Sequence, residues 1–454
     1  MSFFYCSHRK NYKRVKHSIE SYMIWGFAFC LAVSCLMIKK VEDEMNLSKR
    51  QTMNIFHVSL KDGDYIIKND EDTHISKEEL ESQVESVDGT VHEENTEPAN
   101  LNAKYALLMD ASNRRVLFEK SGYEKVPMAS TTKIMTLLIA LENANLNDVV
   151  KVSKYAASMP DVQLNMKTDE EYILSDLLYS LMLESHNDTA VAIAEHIGGS
   201  VEGFAAMMNE KAKELGAYNT NFVTPNGLDA DGHFTTAYDL ALIASYAIQN
   251  ESFLKIIQTP SHTFHEQTTG RTFTVNNKDL FLTSYDGAIG IKTGFTNNAG
   301  YCFVGAVEKD NKKYVSVVLA SGWPPNKSFK WKDTTKLMDY GVQQFNMKEI
   351  ISKGISFQKI NVSDSIEGGT VTPYVNDSVS LLLKEGEKVD FDIKLPTNLV
   401  APIKKNETIG EITIYINDEK YKVLPLYSME QKRKITYQYI FHKILYQYFL
   451  VSAG

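Results

Sequence analysis

The sequence predicts an α+β protein: an antiparallel sheet flanked by helices over residues 101–346, a small all-β domain over 347–428, and an amphipathic terminal helix over 429–454. Three observations predict it. Two apolar runs of helical length, IMTLLIALENA and LSDLLYSLML, lie among strand segments that turn back on themselves. After Lys348 the chain changes to short alternating segments (ISFQKINV, SVSLLL, VDFDIKL and EITIYINDEKYKVLPL) separated by Gly, Asn and Asp turns. Near the end, Tyr437, Ile440, Phe441, Ile444, Leu445 and Tyr448 recur at helical spacing on one face, with Gln438, His442, Lys443 and Gln447 on the other.

Length and composition set the frame for these elements. A chain of 454 residues has room for two or three domains, and 43% hydrophobic with 23% charged residues describes an ordinary globular protein. The net charge of −9 is concentrated in one place. Residues 41–100 hold 16 acidic and 5 basic side chains, a local charge of −11, so the remainder is close to neutral. No broad basic surface calls for nucleic acid. That acidic stretch reads as a solvated spacer, with one short ordered piece expected at FHVSL and YII.

Ahead of the spacer, residues 1–40 read as a signal anchor or signal peptide. Arg9, Lys10, Lys13, Arg14 and Lys16 precede 17 apolar or nearly apolar residues from Tyr22 to Ile38, closed by Lys39 and Lys40. A basic region before an apolar run is an export signal whose basic end stays in the cytoplasm. At the other end, Lys432, Arg433 and Lys434 precede the tyrosine-rich helix, a combination suited to the headgroup level of a membrane. The cysteines make no framework: Cys6, Cys30 and Cys35 lie in the N-terminal segment, and Cys302 stands alone in an apolar strand, where it reads as a core residue. His262 and His265 read as residues of a partly exposed strand rather than metal ligands, and no metal or other cofactor is expected.

Within 101–346, KYALLMD, the turn ASNRR and VLFEK form a hairpin, and YCFVGAV, the turn KDNKK and YVSVVLASG complete an antiparallel set with IGIKTGF. Thr236 and Asp239 read as a cap on the helix LALIASYAI, which makes Asp239 structural. Three short patterns do not fit so bland a reading. Ser130 and Lys133 are three residues apart at the start of a buried helix, so their side chains share a face. A serine hydroxyl is a weak nucleophile until a base takes its proton, and a desolvated lysine can be that base. Lowering a lysine pKa by about three units costs on the order of 4 kcal/mol. A helix N-terminus beside Ser130 also suits a developing oxyanion. Ser-x-x-Lys recurs at Ser7–Lys10 and Ser356–Lys359, but there no buried helix follows.

The second pattern is Ser185-His186-Asn187, placed where one helix ends and another begins, a position that helix capping alone would also explain. The third is Lys292-Thr293-Gly294 in YDGAIGIKTGFTNNAG, which puts a cation inside an apolar strand beside a glycine. Glycine weakens a strand and marks a place where another backbone or a ligand comes close.

In this order the three patterns are the signature of penicillin-binding proteins and class A β-lactamases. Residues 101–346 resemble the D-alanyl-D-alanine carboxypeptidases of peptidase family S11 along KYALLMDASNRRVLFEKSGYEKVPMASTTKIMT, TNFVTPNGLDADGHFTTAYDLALIASYAI and DGAIGIKTGFTNNAGYCFVGAV. The resemblance implies a β-lactamase/DD-peptidase-like catalytic domain and a β-domain and amphipathic helix after it. It also implies a membrane-attached enzyme on the outer face of a bacterial cytoplasmic membrane. Its substrate would be the peptidoglycan stem pentapeptide, and β-lactams would inhibit it. By the same resemblance Ser130 is the nucleophile and Lys133 the base for acylation. Ser185 and Lys292 relay a proton to the leaving amine, Asn187 holds the substrate amide, and Thr293 joins Lys292 in binding the terminal carboxylate. Gly294 lets substrate lie along the strand edge, and the N–H groups of Ser130 and Phe295 form the oxyanion hole. His186 departs from the small residue usual there. A class A β-lactamase would need Glu-x-x-Leu-Asn between Asn187 and Lys292, and that string is absent. A transpeptidase, or a non-hydrolytic penicillin-binding sensor, would share the same three patterns.

Overall fold

In the computed structural model of the chain, residues 53–61, 64–68 and 97–451 are described. They divide into two compact units, one of residues 97–351 and 379–387, the other of 53–61, 64–68, 352–378 and 388–451. The expected N-terminal export segment lies outside the described residues.

The first unit is built on a five-stranded antiparallel sheet. Its order across the sheet is Arg115–Lys120, Tyr105–Asp110, Lys312–Leu319, Gly300–Lys309 and Ala288–Thr296. Strand alternation sorts the side chains onto two faces. Leu107, Met109, Val304, Ala306, Val315 and Val317 enter the larger core cluster, with helices Lys133–Asn143, Leu174–Leu183, Asn187–Gly198 and Ala237–Ala247. Ala106, Leu108, Phe303, Val307, Tyr314 and Val318 enter a second cluster with Leu337, Met338 and Tyr340 of helix Phe329–Gln344. Helices therefore cover both faces, and the strand Ala288–Thr296 is left at one edge. Buried Asp333 fastens the start of the unit: its carboxylate accepts from Asn102 N, Ala103 N and Ser321 Oγ at 3.0, 2.7 and 2.7 Å.

The expected local features are present. Thr236 caps the helix Ala237–Ala247, accepting Asp239 N–H at 3.0 Å, and Asp239 in turn accepts from Asn219 N and Thr220 Oγ1. Cys302 is a fully buried core residue, and burial pushes its thiol up to about 12. His262 stacks on Tyr179 and lies 2.7 Å from Asp176, while His265 meets Thr272 across a two-stranded ribbon.

Two assignments differ from the sequence expectation. Val379–Lys384, which holds the segment SVSLLL, pairs antiparallel with Phe345–Ile351 within the first unit, although it was expected in the β-domain. Leu382 is the reason: it packs into the second cluster beside Phe345 and Tyr340. The ordered piece expected in the spacer at FHVSL and YII is present there and is larger than expected. Met53–Lys61 and Asp64–Lys68 are strands of the second unit's six-stranded sheet, in the order Pro373–Tyr374, Glu419–Ser428, Thr408–Ile416, Val389–Pro396, Met53–Lys61, Asp64–Lys68. The chain then ends in helix Tyr437–Val451, on which Tyr437, Ile440, Phe441, Ile444, Leu445 and Tyr448 are all exposed. No helix among the described residues is long and apolar enough to cross a membrane.

Candidate active site

Ser130 sits in a single 3-10 turn, Ala129–Thr132, that runs directly into helix Lys133–Asn143. Ala129 holds φ +49°, a left-handed conformation unusual for a residue with a side chain. Such strained residues persist where the surroundings over-determine them. Here the constraint is visible: Thr131 and Thr132 hydroxyls donate to Met128 O and Ala129 O at 2.6 and 2.8 Å. Thr132 is in turn gripped by His233. The ring Nδ1 accepts Val223 N–H at 3.0 Å, which leaves the proton on Nε2, 3.0 Å from Thr132 Oγ1. Burial holds the His233 pKa down at about 4, so this neutral tautomer persists at physiological pH.

Lys133 is completely buried, with three partners around Nζ: Ser130 Oγ at 3.0 Å, Asn187 Oδ1 at 2.9 Å and Asn226 O at 2.6 Å. None carries a charge. Burial first, and then the nearby Lys292 ammonium, hold its pKa well below the ordinary lysine value. As a neutral amine, Lys133 has two N–H groups for the two carbonyl oxygens and a lone pair facing the Ser130 hydroxyl. That geometry suits proton abstraction from serine.

The second pattern lies in the link between helices Leu174–Leu183 and Asn187–Gly198. Ser185 has φ +70°, and its hydroxyl is buried with no hydrogen-bond partner. Capping does not explain the pattern, because no side chain caps the N-terminus of Asn187–Gly198. Instead its first turn holds the loop over the site. Asn187 Nδ2 donates to Pro160 O and Asp161 O, both at 3.1 Å, and Asp188 accepts from Leu164 N and Met166 N. His186 is engaged by other groups: its Nδ1 lies 2.8 Å from Ser180 Oγ and its Nε2 3.4 Å from Glu184 Oε2. Burial, opposed by Asp188 and Glu184, lowers its pKa.

Lys292 lies on the edge strand, only 3% exposed, and donates to Thr293 O at 3.1 Å. Burial lowers its pKa to about 8, against the pull of Asp279. Gly294 explains how closely this strand approaches the Ser130 turn. A Cβ there would stand 3.0 Å from Ser130 N and 3.1 Å from both Thr131 N and Ala129 Cβ, so a side chain would press the strand and the turn apart by a few tenths of an ångström. Phe295, next in the strand, is partly exposed and packs on Tyr301.

The fold thus gathers Ser130, Lys133 and Asn187 into one hydrogen-bonded cluster and lays the strand of Lys292, Thr293, Gly294 and Phe295 beside it. No hydrogen bond joins Ser185 to Lys292 or Ser130 among the described residues. Sequence reasoning missed Asn226, whose backbone oxygen receives both Lys133 Nζ and, at 3.3 Å, Ser130 Oγ. It also missed Gly227, at φ +83° against Ala129 O, and His233. The Asn-Gly pair, a turn signal, was the available clue to that loop.

Known proteins are similar to this chain. The family model described as D-alanyl-D-alanine carboxypeptidase (peptidase S11) matches residues 92–322, and the one described as penicillin-binding protein 5, C-terminal domain, matches residues 345–434. The chain is 32% identical over 340 residues to D-alanyl-D-alanine carboxypeptidase DacF of Bacillus subtilis (strain 168), covering 73% of this chain and 86% of that one. Among solved structures it is similar to penicillin-binding protein 5 from Haemophilus influenzae, with a TM-score of 0.64 at 25% identity over 75% of this chain and 100% of the other. The Streptomyces K15 DD-transpeptidase matches with a TM-score of 0.51 at 32% identity, over 54% of this chain and 98% of that one.

Proposed function

The chain belongs to peptidase family S11, the serine-type D-alanyl-D-alanine carboxypeptidases, and from that premise we propose how its own residues remove the terminal D-alanine of peptidoglycan stem pentapeptides. The observation that carries the assignment is the uncharged cradle of Lys133. Ser130 Oγ attacks the carbonyl carbon of the penultimate D-alanine while its proton passes to the Lys133 lone pair. The oxyanion that forms takes hydrogen bonds from the N–H groups of Ser130 and Phe295. Collapse breaks the C–N bond, and Ser185 and Lys292 deliver a proton to the departing amine. Water then releases the shortened peptide from Ser130. Asn187 Oδ1 accepts from Lys133 and keeps a second lone pair for the substrate amide. Lys292 and Thr293 hold the terminal carboxylate, and Gly294 leaves room for the peptide to lie along the sheet edge.

Incubating the full chain with benzylpenicillin is expected to give a single covalent adduct, located by peptide mapping on Ser130. The same preparation should release D-alanine from an acylated Lys-D-Ala-D-Ala peptide. A folded protein with no adduct would count against the whole assignment. Peptide transfer to an added amine in preference to water would instead mark a transpeptidase.

The enzyme acts on peptidoglycan, outside the cytoplasm. Its attachment to the outer face of the cytoplasmic membrane through residues 429–454 is part of the proposal. The exposed apolar and tyrosine side chains between Tyr437 and Phe449, with Lys432, Arg433 and Lys434 ahead of them, support it. Sedimentation with anionic liposomes should be lost when residues 431–454 are deleted, with D-alanine release unchanged. Equal binding by both forms of a chain freed of residues 1–40 would remove the helix from this role.

A further inference from the structure

Asp279 lies between strand Thr272–Asn276 and the short helix Phe281–Ser284, in a turn that neighbouring bonds hold rigidly. Asn277 Nδ2 donates to Ile257 O and Thr259 O at 2.7 and 3.1 Å, and Asn277 Oδ1 accepts Asp279 N–H at 3.0 Å. One carboxylate oxygen, Oδ1, accepts Phe281 N–H at 2.9 Å. The other, Oδ2, is buried and has no hydrogen-bond partner. It is turned toward the edge strand: a Cβ on Gly290 would lie 3.6 Å from it. Gly290 is two residues before Lys292, hence on the same face of the strand.

The buried Lys292 has donors to spare, since its one hydrogen bond goes to Thr293 O, and it feels the Asp279 charge without a direct hydrogen bond to it. Buried charges are tolerated when paired; Asp279 is the one carboxylate acting on Lys292, whereas Asp279 itself also feels a second cation. The other charged groups nearby are cations. Lys330, from helix Phe329–Gln344, also acts on Asp279; its Nζ lies 4.9 and 4.8 Å over the Tyr301 and Trp331 rings. Lys133 and His186 feel Lys292 from the nucleophile side.

We propose that Asp279 is the buried counter-charge of Lys292, a positioning residue that keeps the lysine ammonium available at the sheet edge for the terminal carboxylate of the substrate. The inference rests on the carboxylate-binding role given to Lys292 above. Burial raises the Asp279 pKa to about 6, with Lys292 and Lys330 pulling it back, and Lys292 stands at about 8. Between these values the pair is doubly charged. Below about pH 6 the carboxyl group takes up its proton and stops supporting the ammonium, and above about pH 8 the ammonium itself is lost.

The test is Asp279→Asn in the full chain, which preserves size and the acceptor for Phe281 N–H. Lysine side chains labelled with nitrogen-15 would be titrated by NMR, the Lys292 resonance being assigned by its loss in Lys292→Arg. The Lys292 midpoint should fall by about one pH unit in the variant. KM for a peptide with a free terminal carboxylate should rise several-fold at pH 7 with kcat little changed, and the two enzymes should converge below pH 5.5. In the wild-type protein, with no substitution needed, the Lys292 resonance should show a second inflection near pH 6. An unmoved midpoint, or a wild-type titration without that inflection, overturns the pairing. A midpoint that falls while KM stays fixed leaves the pairing in place and sinks the substrate role of Lys292 instead.

Discussion

Replacing Lys133 with Met slows acylation of Ser130 by penicillin about 10²–10⁴-fold, the range expected when a positioned general base is removed. The residual rate should approach that of Ser130→Ala, because a nucleophile and its base fail as a unit rather than additively. Stopped-flow measurement of a chromogenic β-lactam gives the acylation rate directly. The pH dependence is as informative as the magnitude. Lys133 must be neutral to act, and its pKa is depressed by burial and by Lys292, so wild-type acylation rises with pH as its proton leaves. The alkaline fall follows Lys292, near pH 8. In Lys133→Met the rising limb disappears and the falling limb stays. Thermal stability should not drop with activity, since methionine fills the space of a lysine whose buried ionised form carries a desolvation penalty. A Met variant that acylates at the wild-type rate would remove Lys133 from the mechanism.

Gly227→Ala is the second large effect, and it works entirely through backbone. Gly227 holds φ +83°, and an added methyl group would collide with the Ala129 carbonyl oxygen and stand 2.9 Å from Ser130 N. Neither atom can yield without moving the Ser130 turn. The preceding residue, Asn226, supplies the carbonyl on which Lys133 Nζ and Ser130 Oγ both rest, so the shift reaches the reacting groups. A destabilisation of about 2–4 kcal/mol is expected, together with about 10²-fold slower acylation. Gly199→Ala is the control: its φ is also positive, at +72°, but nothing lies within 4 Å of the added carbon. Its loss should be about 1 kcal/mol, with acylation intact. Equal losses at the two positions in a denaturant titration would mean that backbone conformation alone, and not contact with the Ser130 turn, governs Gly227.

These two residues mark how far the sequence could be read. Lys133 was legible because its chemistry is in its side chain and its partner is three positions away. Ser185, Asn187 and Lys292 stood out only jointly, because with Ser130 and Lys133 they complete three patterns in a known order. Asn226 was invisible because it acts through a carbonyl oxygen that every residue possesses. His233 reaches the site only through Thr132, and Asp279 only through a face of the edge strand that glycine leaves bare. The fold divided in the same way. Alternation revealed which segments are strands and which side chains face inward, but pairing is decided by partners far along the chain. So Val379–Lys384 joined the first unit and Met53–Lys61 the second, neither of which a local pattern could indicate.

The strand Met53–Lys61 carries a practical consequence for anyone trimming the protein. It covers Val389–Pro396 in register from Met53 opposite Pro396 to Leu60 opposite Val389, and Asp64–Lys68 covers it in turn. A fragment begun at the first unit, near Glu97, strips both strands away and leaves Val389–Pro396 as a raw edge with its N–H and C=O groups unmatched. Edges of that kind recruit strands from other molecules. Such a fragment would keep every residue of the active site and still be prone to aggregate, so a soluble shortened form should begin ahead of Met53.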